Sequence, residues 1–213
     1  EFRIYPSFVA ASITPSSPLP SFHSGYLADE FFPDAAFQVI SIVAATGYVS
    51  ADFNISPGFL KVILVILMFM GGWAGSTGGG MKVVRVFVAL KTGYRSIVQA
   101  IYPNAVLPVR IDSRPVSDIY ILGAVSYFVI YVFLFAIGTV CMTLLESTDL
   151  VTSFSASIAA LSNIGPGLGR VGPVENFAWV SAPGKWMLSF LMLAGRLELY
   201  SILVLLLPAT WKR

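Results

Sequence analysis

Two short turns of this 213-residue chain, Ala45-Thr46-Gly47-Tyr48 and Asn163-Ile164-Gly165-Pro166, lie 118 positions apart, and each ends an apolar segment too brief to cross a bilayer. Their residue types suit ion coordination by backbone. A monovalent cation gives up hydration to enter a narrow path, and closely spaced carbonyls compensate without holding it too firmly to leave. Gly47 and Gly165 fit because glycine takes the dihedral angles that turn successive carbonyls toward one axis. The chemistry needs no charged side chain, and neither turn has one. Short helices ending just before the turns would aim their negative dipole ends at the same point. A single Thr-Gly-Tyr is an ordinary turn; the recurrence carries the reading.

Composition sets the solvent. With 56% hydrophobic and 11% charged residues and a mean hydropathy of +0.81, the chain reads as a membrane protein. The net charge of +2 is spread over short loops, so nothing points to nucleic acid. Cys141, the single cysteine, lies in an apolar run, which excludes a disulfide within the chain and a Cys metal site. An enzyme would need a nucleophile with a base, or metal ligands. The one histidine, His23, sits in a Pro/Ser-rich loop, so no enzyme is expected. The chain opens at Glu1 with no signal peptide, and a segment upstream is expected.

The elements that must position the turns follow from hydropathy and breakers. Residues 1–34, with five prolines and the acidic Asp29, Glu30 and Asp34, read as an extracellular loop and the remnant of a preceding span. Residues 35–95 form one unit: a short helix over Ala35 to Ala45, the first turn, and an inner helix from Phe59 broken by Gly71 to Gly80. Six glycines in those ten residues give poor helix propensity, and unwound backbone at membrane depth must be buried or line water. Residues 96–117 read as a cytoplasmic loop, because the face from Lys82 to Arg114, with Lys82, Arg85, Lys91, Arg95, Arg110 and Arg114, is the most basic part of the chain. Residues 118–213 repeat the device with a leading span, Ile119 to Leu145, a short helix over Leu150 to Ser162, the second turn, and a span over Trp186 to Leu207. Lys212 and Arg213 place its end inside, so both turns enter from outside. The fold class is an all-α membrane protein of membrane-pore-membrane repeats.

Two charges stand apart. Arg196 lies about ten residues into its span, where an uncompensated charge is costly and implies function. It is expected to face the ion path beneath the filter, bond the carbonyls of the Gly-rich loop and oppose cations; a structural ion pair with another helix is the alternative. Glu198, two positions on, points elsewhere on a helix. Asp52 could concentrate cations at the outer mouth or be a solvated loop carboxylate. Two motif matches fail on context. The stretch from Gly75 departs from GxxxxGK[ST] because Met81 intervenes before Lys82, and Gly167 to Gly172 matches GxGxxG without the strand and helix a dinucleotide needs.

The text FQVISIVAATGYVSADF, GGWAGSTGGGMKVVRV, ALSNIGPGLGRVGPVENFA and GRLELYSILVLLLPATWKR resembles the C-terminal half of TrkH-type potassium uptake proteins, in the Trk/Ktr/HKT superfamily, over residues 35–213. The resemblance implies four pore repeats around one ion path, of which this chain would hold the third without its first span and the whole fourth. It implies filter roles for Ala45, where the family usually has Thr, and for Thr46, Gly47, Tyr48, Asn163, Ile164, Gly165 and Pro166. Potassium is then the substrate, held by filter carbonyls, with no covalent cofactor. The resemblance also implies a gate of Gly71, Gly72, Gly75, Ser76, Thr77, Gly78, Gly79 and Gly80 with Arg196; a space-filling loop is the plainer reading. Implied partners are the remaining N-terminal repeats, a second copy in a homodimer, and a cytosolic nucleotide-binding regulatory subunit of the TrkA type, docking on the basic face. The implied location is the inner (cytoplasmic) membrane, crossed several times. A sodium-permeable or sodium/potassium-cotransporting relative, a structural subunit and a non-conducting fragment remain alternatives.

Overall fold

The computed structural model describes residues 28–72, 79–103, 107–111 and 114–197, together with 204 and 211. Helix α1, Ala28–Val43, leads to the first turn. It begins seven residues before the expected Ala35, so the expected loop over 1–34 ends in helix, with Pro33 inside it. Pro33 is the sixth residue of this helix, just past the first turn, and forfeits one intrahelical bond there. After the turn, Pro57 stands at the N-cap of α2, Gly58–Phe69.

The expected break follows at once, with a defined form. Met70–Gly71 (β1) and Met81–Lys82 (β2) pair in parallel, Met70 opposite Met81 and Gly71 opposite Lys82. The chain therefore leaves on an excursion and returns beside its point of departure, continuing as α3, Val83–Ile101. This helix runs past Arg95 into the stretch expected as a cytoplasmic loop over 96–117, since nothing before Tyr102-Pro103 breaks it. A small antiparallel hairpin, Arg110–Ile111 (β3) with Arg114–Pro115 (β4), turns the chain back.

Helix α4, Asp118–Glu146, has 29 residues, about 43 Å at 1.5 Å per residue, more than a hydrocarbon core requires. Ile121, Ala124, Tyr127, Tyr131, Phe135, Gly138 and Met142 make its buried stripe, while the opposite face exposes Leu122, Val129, Phe133, Ile137 and Val140. An apolar face turned outward along a whole helix suits lipid. Among the described residues it is the one helix long and apolar enough to cross a membrane. Helix α5, Leu150–Leu161, is the central post, with Thr152, Ser153 and Ser155 through Leu161 all buried. Its small residues permit close approach: a Cβ on Gly138 of α4 would stand 3.4 Å from Ser157 Oγ and 2.7 Å from Leu191 Cδ1, so the Leu191 side chain would have to shift. Helix α6, Ala182–Arg196, starts four residues before the expected Trp186; Glu198 and most of the rest of that expected span lie outside the described residues. Glu146, at the end of α4, accepts from the Ser181 backbone N–H at the N-terminus of α6, where a negative charge complements the helix dipole.

The two units share one core. Phe69 of α2 meets Phe135 of α4 edge-on at 5.0 Å, and Phe135 meets Phe154 of α5 at 4.7 Å, a geometry that aromatic rings favour.

Candidate ion filter and gate

Each short helix ends in the same hydrogen-bonded cap. Ala44, Ala45 and Thr46 donate their N–H groups to the carbonyls of Ile40, Ile42 and Ser41 at 2.8, 3.1 and 3.0 Å. Ser162, Asn163 and Ile164 donate to Ile158, Ala160 and Ala159 at the same three distances. All six atoms of one set lie 118 positions from those of the other. The pattern is a Schellman cap, which needs a left-handed residue just past the helix. Ala45 (φ 52°) and Asn163 (φ 56°) fill that place, and Gly47 (φ 74°) and Gly165 (φ 104°) are positive again two residues on. Extended strands send alternate residues to opposite sides; left-handed residues at every second position break that alternation.

The turns touch. A Cβ on Gly47 would collide with the Ile164 carbonyl oxygen and come within 3.2 Å of Pro166 Cδ. Only glycine permits that approach. Around Gly165 there is open space, and Thr46, Tyr48 and Gly165 are exposed. Support differs between the turns. Ser41 Oγ donates to the Tyr48 carbonyl at 2.6 Å, so that carbonyl is held toward α1, and Thr46 Oγ1 lies 3.1 Å from Ser41 Oγ. Gln38 Nε2 donates to the Ala51 carbonyl at 2.9 Å. Beneath the second turn, buried Ser162 Oγ donates to the Met68 carbonyl at 2.6 Å and lies 2.7 Å from the Tyr131 hydroxyl.

Of the expected gate residues, Gly71, Gly72, Gly79 and Gly80 are described and buried; Gly75, Ser76, Thr77 and Gly78 lie outside the described residues. A Cβ on Gly79 would stand 2.6 Å from Asn163 Nδ2 and 2.9 Å from the Ser162 carbonyl oxygen. The end of the excursion is thus pressed against the base of the second turn. On the other side, Gly195 abuts the Leu161 carbonyl, and Asn163 Nδ2 donates to the Met192 carbonyl of α6 at 2.9 Å. Arg196 follows Gly195 directly, at the last helical position of α6, and is exposed. Turn, excursion and arginine-bearing helix end therefore meet around one asparagine side chain.

Sequence reasoning missed Ser41, Ser162 and Tyr131, whose partners are up to 94 residues away. It missed Asp149 too, the N-cap of α5, whose carboxylate accepts from the Thr152 N–H at 3.2 Å. Aspartate directly before an apolar run is an N-cap signal and could have found it. Hydrogen bonding from Thr152, first its side chain and then its backbone, holds the Asp149 carboxyl below its ordinary pKa. Asp52 is not simply solvated: its carboxylate accepts from the Asn54 N–H at 2.9 Å. Cys141 is half-buried, and among the described residues no group of His, Cys, Asp and Glu could hold a metal ion. His23 lies outside the described residues.

Fold and turns together define an all-α membrane protein built from pore-loop repeats. The family model for TrkH cation transport proteins matches residues 23–212, and the chain belongs to that family. It is 36% identical over its whole length to the Trk system potassium uptake protein TrkH of Halomonas elongata, covering 44% of that protein. It is 37% identical to the TrkH protein of Vibrio parahaemolyticus over 89% of this chain and 39% of that one. The crystal structure of the potassium transporter TrkH from Vibrio parahaemolyticus superimposes with a TM-score of 0.80 at 35% identity, covering 89% of this chain and 40% of that chain. The chain thus spans less than half the length of these relatives.

Proposed function

We propose that this chain supplies two walls of a potassium-conducting pore and serves potassium uptake across the cytoplasmic membrane, which the complete protein crosses several times. The observation that carries the reading is the recurrence, 118 residues apart, of one cap and one pattern of left-handed residues in two touching turns. Ion coordination by carbonyls requires such backbone repetition, whereas a packing turn does not. Ala45 to Tyr48 and Asn163 to Pro166 are the filter residues of this reading, with potassium as substrate. Repeats beyond this chain complete the ring on the exposed side of Thr46, Tyr48 and Gly165. The relatives named above are potassium uptake proteins by name, which favours potassium over sodium as cargo.

The gate is the excursion from Gly71 to Gly80 acting with Arg196. Support comes from Gly79, Asn163 and Gly195, which meet at the base of the second turn and leave Arg196 beside it. Arg196→Ala is expected to raise rubidium uptake by the intact protein in cells lacking other potassium uptake systems. Unchanged uptake, with unchanged amounts in the membrane, would remove the gating role.

A homodimer and a cytosolic nucleotide-binding regulator of the TrkA type belong to the same reading, the regulator docking on the basic face. Lys91 and Arg95 also serve the fold there, Lys91 Nζ donating to the Arg110 carbonyl at 2.6 Å and Arg95 pairing with Asp118 at 3.4 Å. Neutralising both is expected to abolish regulator pull-down, and intact pull-down would move the docking site elsewhere.

A further inference from the structure

Asn54 joins the two repeats at the outer end of the turns. Its Nδ2 donates to the Gly169 carbonyl at 3.0 Å, and its Oδ1 accepts from the Gly169 N–H at 3.0 Å. One carboxamide thus engages both polar groups of a single residue 115 positions away, as a paired strand would. Both ends of this clasp are themselves fixed. On the Asn54 side, its backbone N–H donates to Asp52 Oδ1 at 2.9 Å and its neighbour Phe53 is buried. On the other side, Leu168 N–H donates to Ser155 Oγ at 2.9 Å and Arg170 N–H to Thr152 Oγ1 at 3.2 Å, which ties the residues flanking Gly169 to α5. Gly172 completes the seat, because a Cβ there would collide with the Asn54 amide.

Gly169 follows Gly165 by four residues, and Asn54 follows Gly47 by seven. The clasp therefore acts at the outer ends of both turns, while the contact of Gly47 with the Ile164 carbonyl acts between them. A glycine-bearing turn held only at its helical end could move relative to its neighbour; a turn held at both ends cannot. The geometry points to Asn54 as the positioning residue that sets the separation of the two filter walls and, through it, discrimination of potassium from sodium. This rests on the filter reading above. On the cavity-size account of selectivity, a ring of carbonyls free to contract coordinates the smaller, more tightly hydrated sodium ion better than a ring of fixed separation does.

Two variants of the intact protein test it. Asn54→Leu removes the amide at similar volume; Gly172→Ala leaves the amide in place but displaces it. Sodium and potassium uptake are measured separately in cells lacking other potassium uptake systems and divided by the amount of protein in the membrane. Both variants are expected to raise the sodium-to-potassium uptake ratio about tenfold, in keeping with the loss of one to two hydrogen bonds. A selective parent whose variants keep its ratio, losing only total uptake, would overturn the inference and leave Asn54 a scaffold residue. A parent that moves neither ion would overturn the filter reading itself, and the inference with it.

Discussion

Ala45 and Asn163 occupy equivalent places, each left-handed at the end of its short helix, and the backbone around them is the same bond for bond. Their side chains are treated differently. Ala45 makes no side-chain hydrogen bond and bears the cost of a left-handed β-carbon, about 1 kcal/mol. Asn163 tolerates that conformation better and spends its amide on the Met192 carbonyl. The same divergence continues one residue earlier, where Ala44 is exposed and Ser162 is buried between Met68 and Tyr131. The same backbone is thus produced twice, once by a turn braced through its own helix by Ser41, and once by a turn bonded to α2, α4 and α6.

The sharpest test of the comparison lies at the two glycines. Gly47→Ala meets both an unfavourable φ and the Ile164 carbonyl, and is expected to lower rubidium uptake about a hundredfold. Gly165→Ala meets only the φ penalty and is expected to cost about tenfold. Equal losses would mean that contact between the turns does not matter. The next effect is on stability. Ser162→Ala strands the buried Tyr131 hydroxyl and the Met68 carbonyl and should cost about 1–3 kcal/mol, read by thermal unfolding in detergent, whereas Ala44→Ser should stay within about 0.5 kcal/mol.

Smaller still, and opposite in sign, are the cap residues. Ala45→Gly should stabilise by about 0.5–1 kcal/mol, and Asn163→Gly should destabilise by a similar amount as its bond to Met192 is lost. The smallest expected effect is a pH dependence confined to the second repeat. Asp149 has a folded pKa below its unfolded value, so its cap stabilises α5 fully above the ordinary aspartate range. That contribution is lost as pH falls through the lowered folded value. Asp149→Asn keeps a capping oxygen and should flatten this acid limb of a melting profile; an unchanged limb would assign it to other carboxylates.

Both turns, the long span α4 and the place of the Gly-rich break were legible because each is a local event: a glycine at a fixed offset from an apolar run, a run without charges, a cluster of helix breakers. The cap geometry was not, since Ala45 is not the glycine that announces a left-handed residue. Helix α1 reached back through Pro33, where the local rule predicts a loop. Helix α3 ran on through Ser96 to Ile101, an uncharged stretch assigned to a loop by the basic residues on either side of it, with Lys91 bound to the Arg110 carbonyl and Arg95 paired with Asp118 just before it.

By itself the sequence determined the solvent, the order of the apolar segments and the recurrence of a glycine-bearing turn, because hydropathy and backbone freedom are properties of neighbours along the chain. Only the tertiary structure decided that the turns touch, that Asn54 clasps Gly169, that Ser162 reaches Met68, and that Gly79 and Gly195 close on Asn163. Those contacts join residues tens to more than a hundred positions apart. No local preference encodes them; burying α5 among α2, α4 and α6 brings Thr152, Ser155 and Ser162 to partners on neighbouring segments, while Ser157 Oγ finds none among the described residues.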